Sequence, residues 1–168
     1  MNDLYQINDL VLYSNHGICK INSITEKTFT DEPKKYYELL PLKDLKLQIH
    51  IPVDSDKIQL IDLMNEQEAL KLVESFKHET AIPLERNFMT SAPFIAIISS
   101  TDRQKMVQYI ISLMNKKATL DEGKKLPVQE NKALQQLQGI LYNEIAFALQ
   151  KTYEDVAALV DDAIAVNI

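Results

Sequence analysis

Basic side chains between residues 86 and 132 are the groups in this sequence best suited to chemistry with a ligand. The stretch holds 8 basic and 4 acidic side chains, and lysine and arginine bind nucleic acid by neutralising phosphates and releasing counterions. Lysines are also common in solvated polar loops, so both interpretations stay open. No recognition-helix pattern accompanies these residues, and base-specific readout is not expected. The candidate phosphate contacts are Arg86, Lys116, Lys117, Lys124 and Lys125.

The charge of the rest of the chain argues against a simple nucleic-acid-binding protein, because such domains are usually basic. The net charge over 168 residues is −6, with 7 basic and 10 acidic side chains in residues 1–63 and 1 basic and 5 acidic in residues 144–168. Exposed charges are screened beyond roughly 8–10 Å, so local excess matters more than the total. We therefore expect any contact with DNA to be weak and independent of base sequence.

Residues that could serve catalysis or metal binding do not form a recognisable pattern. His16, Cys19, His50 and His78 lack the spacing of metal ligands, and glycine-rich phosphate loops and nucleophile motifs are missing. The sequence predicts no metal, no cofactor and no enzymatic activity. A lone cysteine fits a reducing compartment, and the longest apolar-rich stretch, 92–98, is too short to span a bilayer. We expect a cytoplasmic protein, and the oligomeric state stays open.

Alternating apolar residues and turn signals divide the first part of the chain into short strands. Residues 14–17 form a turn signal, since Asn and Gly tolerate positive φ, and the apolar residues on either side predict a hairpin. Alternate residues from Leu45 to Ile51 are apolar, as in a strand with one buried face, and Pro52 ends this run. We predict a small, partly closed barrel of Tudor or SH3 type with one available edge. The predicted strands are 10–13, 18–29, 35–40, 45–51 and 58–61.

Helical periodicity replaces this alternation after Met64. A capping box of Asn65 and Glu68 begins the first helix, and Pro83 is placed to begin a second that Pro93 kinks or ends. The fold class predicted is α+β with two domains: a β-barrel in residues 1–63 and an all-α domain of about five helices in residues 64–168. The remaining signals are a Thr101–Gln104 cap, a polar loop from Asn115 to Lys125, Pro127 in a first helical turn and a cap at Thr152.

Several blocks of the β domain, in order and at similar spacing, resemble CarD-like bacterial transcription regulators, the CarD/CdnL/TRCF RNA-polymerase-interacting family. Asn8 and Ser14 stand where that family usually has Gly and Pro. In the helical half, 100–102 and 144–146 are similar to its "SGD" and "EIA" segments. The matching blocks are Asp9, Val11, Tyr13, 15–17 and Ile21, then 36–39 and 47–53.

The resemblance implies that the barrel binds the β subunit of RNA polymerase, partly by edge-strand pairing, and that the helical domain acts on promoter open-complex stability. Lys27 and His50 would contact the polymerase from adjacent strands; the alternative is two solvated side chains. The family's helical domain places a Trp wedge in the minor groove, but this chain has no Trp. Asn87 aligns with that position and Phe88 follows it, as a wedge or as a core residue. An alternative function is a protein-interaction module without direct DNA contact.

Overall fold

The chain divides into two compact units, one built of strands and one of helices. In the computed structural model, residues 5–13, 16–28, 32–54 and 60–167 are described. The β unit comprises Met1–Leu63 and the helical unit Met64–Ile168. Within these residues, a five-stranded antiparallel sheet precedes five α-helices. The predicted α+β class, a small β domain followed by an all-α domain, is therefore confirmed.

The β unit is one antiparallel sheet in the order β4-β3-β2-β1-β5. Its inner face is apolar, and β4 and β5 are the outermost strands among the described residues. The predicted turn at Ser14 and Asn15 and the predicted start of the last strand at Ile58 lie outside the described residues. The strands are β1 (Leu10–Tyr13), β2 (Gly17–Lys27), β3 (Lys34–Pro41), β4 (Ile49–Pro52) and β5 (Leu60–Asp62). The buried core residues are Val11, Cys19, Ile21, Tyr37, Leu39 and Ile51.

β4 is shorter than the alternation of apolar residues predicts. Leu45 is 61% exposed and Leu47 is 39% exposed, so neither belongs to a buried strand face. The Leu47 N–H donates to the Asp44 carbonyl at 3.1 Å, and the Asp44 carboxylate accepts from the Lys46 N–H at 3.2 Å. These turn hydrogen bonds hold the segment out of the sheet, since Asp favours local bonds to the backbone after it.

The helical unit is organised around α4, the longest helix and the most extensively buried. The predicted capping box of Asn65 with Glu68 begins α1. The predicted cap at Thr152 begins α5, where it forms a capping box with Asp155. A short 3-10 turn, Phe88–Thr90, precedes α2. The helices are α1 (Glu66–Ser75), α2 (Ala92–Ser100), α3 (Arg103–Ala118), α4 (Val128–Leu149) and α5 (Tyr153–Val166).

The predicted helix at Pro83 is wrong, because residues 79–85 are irregular. The Ser112 hydroxyl lies 2.7 Å from both the N–H and the carbonyl of Ile82, so α3 satisfies backbone groups that a helix would otherwise pair. Pro93 neither kinks nor ends a helix. It lies in the first turn of α2, where its missing N–H removes no hydrogen bond.

Two boundaries around α3 also differ from prediction. Thr101 ends α2 with a left-handed φ of 51°, and Asp102 is the residue that caps α3, accepting from the Lys105 N–H at 3.2 Å. The polar loop predicted from Asn115 begins later, because α3 continues to Ala118. Lys116 and Lys117 therefore lie in the last helical turn, where cations interact favourably with the helix dipole.

Candidate functional sites

Lys27 and His50 lie on strands separated by β3, so the prediction that their strands are adjacent is wrong. Lys27 is paired with Lys34 and His50 with Glu38, and both partners belong to β3. Directly opposed residues share a face, and Lys34 and Glu38 are four positions apart on one strand, so all four side chains project from the same face. The spacings of a sheet put Lys27 and His50 roughly 13 Å apart along the strands and roughly 10 Å apart across them.

Lys34 completes a basic pair that the sequence analysis did not anticipate. Lys27 and Lys34 are exposed and directly opposed across β2 and β3. Like charges in this position destabilise a sheet, so the two positive charges oppose folding rather than favour it. A carboxylate of a partner placed between the two ammonium groups would remove that repulsion.

His50 contacts the carboxylate of Glu38, so it is not an isolated basic group. Its Nε2 lies 3.5 Å from Glu38 Oε2, and the Asn22 amide donates to Glu38 Oε1 at 2.9 Å. The His50 side chain is 26% exposed and that of Glu38 is 15% exposed. Glu38 therefore orients the imidazole and offsets its positive charge when the ring is protonated.

The outer edge of β4 has a defined hydrogen-bonding register. The Val53 N–H donates to the Lys35 carbonyl at 3.0 Å. Because bonded and non-bonded pairs alternate along antiparallel strands, His50 and Pro52 direct their backbone groups away from β3. Pro52 has no N–H to donate, so a strand added to this edge would lose its pairing there.

Around the position aligned with the DNA wedge, two neighbouring residues are exposed and one is buried. Arg86 and Asn87 are exposed, and Asn87 has a left-handed φ of 58°. Phe88 is only 4% exposed. Its ring centroid lies 5.2 Å from that of Phe94 and 5.3 Å from that of Tyr109. Phe88 is therefore a core residue here, and a wedge role would require its ring to leave this aromatic cluster.

The four candidate phosphate-binding lysines differ in what they contact. The Lys116 ammonium lies 2.5 and 2.7 Å from the two carboxylate oxygens of Glu130, which is itself buried, so its charge is already paired. Lys124 lies 3.4 Å from Asp121 in an exposed pair of small energetic weight. Lys117 and Lys125 are exposed. Arg86, which lies before α2 in the chain, is exposed as well.

α2 carries a surface that the sequence analysis missed. None of its nine residues is charged, and Ile95 is 52% exposed. Ala92, Pro93 and Ala96 are exposed as well. Most surface helices expose charged side chains, so an exposed apolar helix face is unusual. Such faces often mark contact with another molecule. The sequence contains no charged residue from 87 to 101, and this pattern could have indicated the apolar surface of α2.

The metal-ligand and thiol side chains of the described residues are not assembled into a site. Within the described residues, no group of three or more His, Cys, Asp and Glu side chains is arranged to hold a metal ion. Cys19 is buried, and burial raises the pKa of its thiol to about 11, which keeps it protonated at neutral pH. In the described part of the chain, no helix has the length and apolar character needed to cross a membrane.

The structure explains why Asn8 can stand where the resembling family has Gly. Asn8 has a φ of 77°, a conformation that Asn tolerates better than most residues with a side chain. Its N–H donates to the Ile21 carbonyl at 2.7 Å, and the Ile21 N–H donates to the Asp9 carbonyl at 2.9 Å. The positive φ therefore lets the chain before β1 pair with β2.

Comparison with known proteins identifies the β unit. Residues 5–62 match the family model of the CarD-like/TRCF RID domain. The match begins just before β1 and ends at the last residue of β5, so it covers the complete sheet. A search of curated proteins found none that matches the chain. Residues 5–62 of this chain are therefore a CarD-like RNA-polymerase-interacting domain.

Proposed function

We propose that this protein is a transcription regulator that binds the β subunit of RNA polymerase through its β unit and changes promoter open-complex stability through its helical unit. The observation that carries the proposal is the family match over residues 5–62, which includes every strand of the sheet. The exposed groups of the β unit include the opposed Lys27 and Lys34 and the outer edge of β4, and these are groups that another protein can bind.

The polymerase contact combines edge-strand pairing with charge. A strand of the β subunit adds to the outer edge of β4, where main-chain hydrogen bonds supply affinity and Pro52 sets the end of the pairing. Lys27 and Lys34 receive an acidic side chain of the polymerase, which relieves their mutual repulsion. Exposed charge pairs are worth only about 0.2–1 kcal/mol each, so the lysines contribute mainly to the rate of association and to specificity.

Tethering explains how an acidic protein acts at DNA. Once the β unit is bound, the helical unit has a high effective concentration beside the promoter, and weak contacts suffice. Arg86, Lys117 and Lys125 are exposed and contact phosphates, while Lys116 stays with Glu130. Asn87 lies at the DNA surface and Phe88 supports it from the core. Each phosphate contact adds about −0.9 to the slope of log affinity against log salt concentration.

A second candidate function is favoured by the exposed apolar face of α2. In this version the helical unit contacts a protein of the transcription complex through Ile95 and its neighbours, and DNA is not touched. Footprinting of a polymerase–promoter complex separates the two candidates. Protection that appears on adding the protein and is lost with Lys117→Glu and Lys125→Glu supports DNA contact, whereas unchanged protection supports the protein contact.

The polymerase contact is tested by charge reversal in the full chain. Lys27→Glu with Lys34→Glu should weaken binding to the cognate polymerase at low salt by roughly tenfold, or about 1.4 kcal/mol. Lys71→Glu with Lys132→Glu, at exposed lysines of α1 and α4, reverses the same amount of charge, and this matched control should bind as the unaltered protein does. Equal affinities for both variants, with the fold intact by circular dichroism, would reject the lysine pair as part of the contact.

A further inference from the structure

The connection between β3 and β4, residues 42–48, exposes three leucines to solvent, and we call it the leucine loop. Leu42 is 40% exposed, Leu45 is 61% exposed and Leu47 is 39% exposed. None of the three packs in either hydrophobic core. Isolated apolar residues are common on protein surfaces, but a contiguous group of them often marks a binding surface. The turn hydrogen bonds at Asp44 hold the loop in one shape, so this surface is present before any partner binds.

Positive charge lies among these leucines. Lys43 and Lys46 are exposed side chains of the leucine loop. The acidic residue of the loop, Asp44, accepts a hydrogen bond from the Lys46 N–H, so one of its carboxylate oxygens is directed toward the backbone. A partner that fits the leucine loop therefore offers apolar side chains next to carboxylates, because complementary charge favours both the rate and the specificity of association.

α5 carries a surface of this kind. Its 14 residues include four acidic side chains and no basic one. Positions 155, 159, 162 and 166 are spaced by four, three and four, so they lie along one face of the helix. That face alternates carboxylates with apolar groups, and Leu159 is 37% exposed and Val166 63% exposed. We call this face the acidic stripe; it consists of Asp155, Leu159, Asp162 and Val166, with Glu154 and Asp161 beside it.

We propose that the leucine loop of one copy of this protein binds the acidic stripe of a second copy. Both surfaces are exposed, so each is available to another molecule. The leucines cover Leu159 and Val166, and the lysines of the loop face Asp161 and Asp162. The dimensions permit this contact. Leu159 and Val166 are about 10 Å apart along the helix, and a loop of seven residues reaches at most about 25 Å.

The small size of the contact sets its strength. A stable complex usually buries about 800 Å² on each partner, and one loop on one helix face buries less. We therefore expect weak, reversible association that decreases as salt is added, since exposed charges are screened. The two joined surfaces differ, so assemblies larger than a dimer form unless two molecules bind each other reciprocally. Association needs no polymerase, so this inference is independent of the proposed function.

The test is sedimentation equilibrium of the full chain in low salt, at concentrations from about 10 μM to about 1 mM. We expect the average mass to rise above that of one chain as the concentration increases. The loop variant, Lys43→Glu with Lys46→Glu, places negative charge against the acidic stripe. The helix variant, Asp161→Lys with Asp162→Lys, places positive charge against the leucine loop. Each variant alone should associate roughly tenfold more weakly. An equimolar mixture of the two should regain association, because its contacts again join opposite charges.

Two controls separate this contact from general effects of net charge. The helix variant adds 4 to the net charge of −6 and reaches −2, so its weaker association does not come from general repulsion. Lys71→Glu with Lys132→Glu has the same net charge as the loop variant and should associate as the unaltered protein does. Leu45→Gln keeps the charge and should also weaken association, because it removes the most exposed leucine of the loop.

Three results would overturn the proposal. A mass of one chain at every concentration would leave the leucine loop to a different partner. Association that neither charge variant weakens would show that another surface joins the copies. A mixture that associates no more strongly than its separate components would show that charge complementarity is not the cause. All the substituted side chains are exposed, and circular dichroism checks that each variant is folded.

Discussion

Replacing Phe88 with alanine distinguishes a core residue from a DNA wedge. Its ring is 4% exposed, and the rings of Phe94 and Tyr109 that surround it are themselves 5.1 Å apart. Truncating a buried Phe to Ala removes about 3–5 kcal/mol of stability, and each aromatic contact adds about 0.5–1.5 kcal/mol to what burial alone provides. We therefore expect Phe88→Ala to lower the free energy of unfolding of the helical unit by about 4 kcal/mol.

The assay is thermal unfolding of the full chain followed by far-ultraviolet circular dichroism, which reports the helices. For a unit of about 100 residues, a loss of about 4 kcal/mol lowers the Tm by roughly 20 °C. Phe88→Leu keeps most of the volume and should cost less than half as much. Ile95→Ala, at a position 52% exposed, should cost under about 1 kcal/mol. Unchanged helix stability in Phe88→Ala, together with lost promoter protection, would refute the core assignment.

Two further predictions concern the β unit. Asn8→Val forces a β-branched residue into a φ of 77° and should destabilise the sheet by about 1–2 kcal/mol in urea unfolding, whereas Asn8→Gly should unfold at the same urea concentration or higher. Burial, and secondarily the Asp62 carboxylate, raises the pKa of Tyr5 from 10.0 to about 12. The neutral phenol is favoured in the folded state, so this stabilisation is fully present below pH 10.0 and is lost as pH rises toward about 12. Tyr5→Phe should flatten that alkaline decline, and an equally steep decline in the variant would show that another group causes it.

Local sequence patterns predicted most of the fold. The capping box at Asn65 and the cap at Thr152 depend on residues within three positions, so their prediction needed no tertiary information. The buried strands were visible because a two-residue period requires one apolar face. Leu45 and Leu47 show the limit of this signal, since a loop that happens to alternate is indistinguishable from a strand until the turn bonds of Asp44 are known.

Contacts that depend on pairing between distant parts of the chain could not be predicted from local sequence patterns. Lys34 joins Lys27 only through the register of β2 and β3, which a sequence does not specify. The pairing of Lys116 with Glu130 depends on how the end of α3 meets the start of α4. The misassignment of Pro93 has a local origin instead, because the Ser91 hydroxyl accepts from the Phe94 N–H and begins a helix just before the proline.

Site-specific photo-crosslinking in a polymerase–promoter complex is the most direct test of the proposed roles, polymerase binding by the β unit and DNA contact by the helical unit. A photoreactive residue at Gln48, beside β4, should crosslink to the β subunit, and one at Arg86, exposed before α2, should crosslink to promoter DNA. The crosslinked β-subunit peptide, identified by mass spectrometry, should contain an edge strand. A Gln48 probe that labels DNA or no polymerase subunit, in a complex that still contains the protein, would contradict the assignment of the β unit as the anchor.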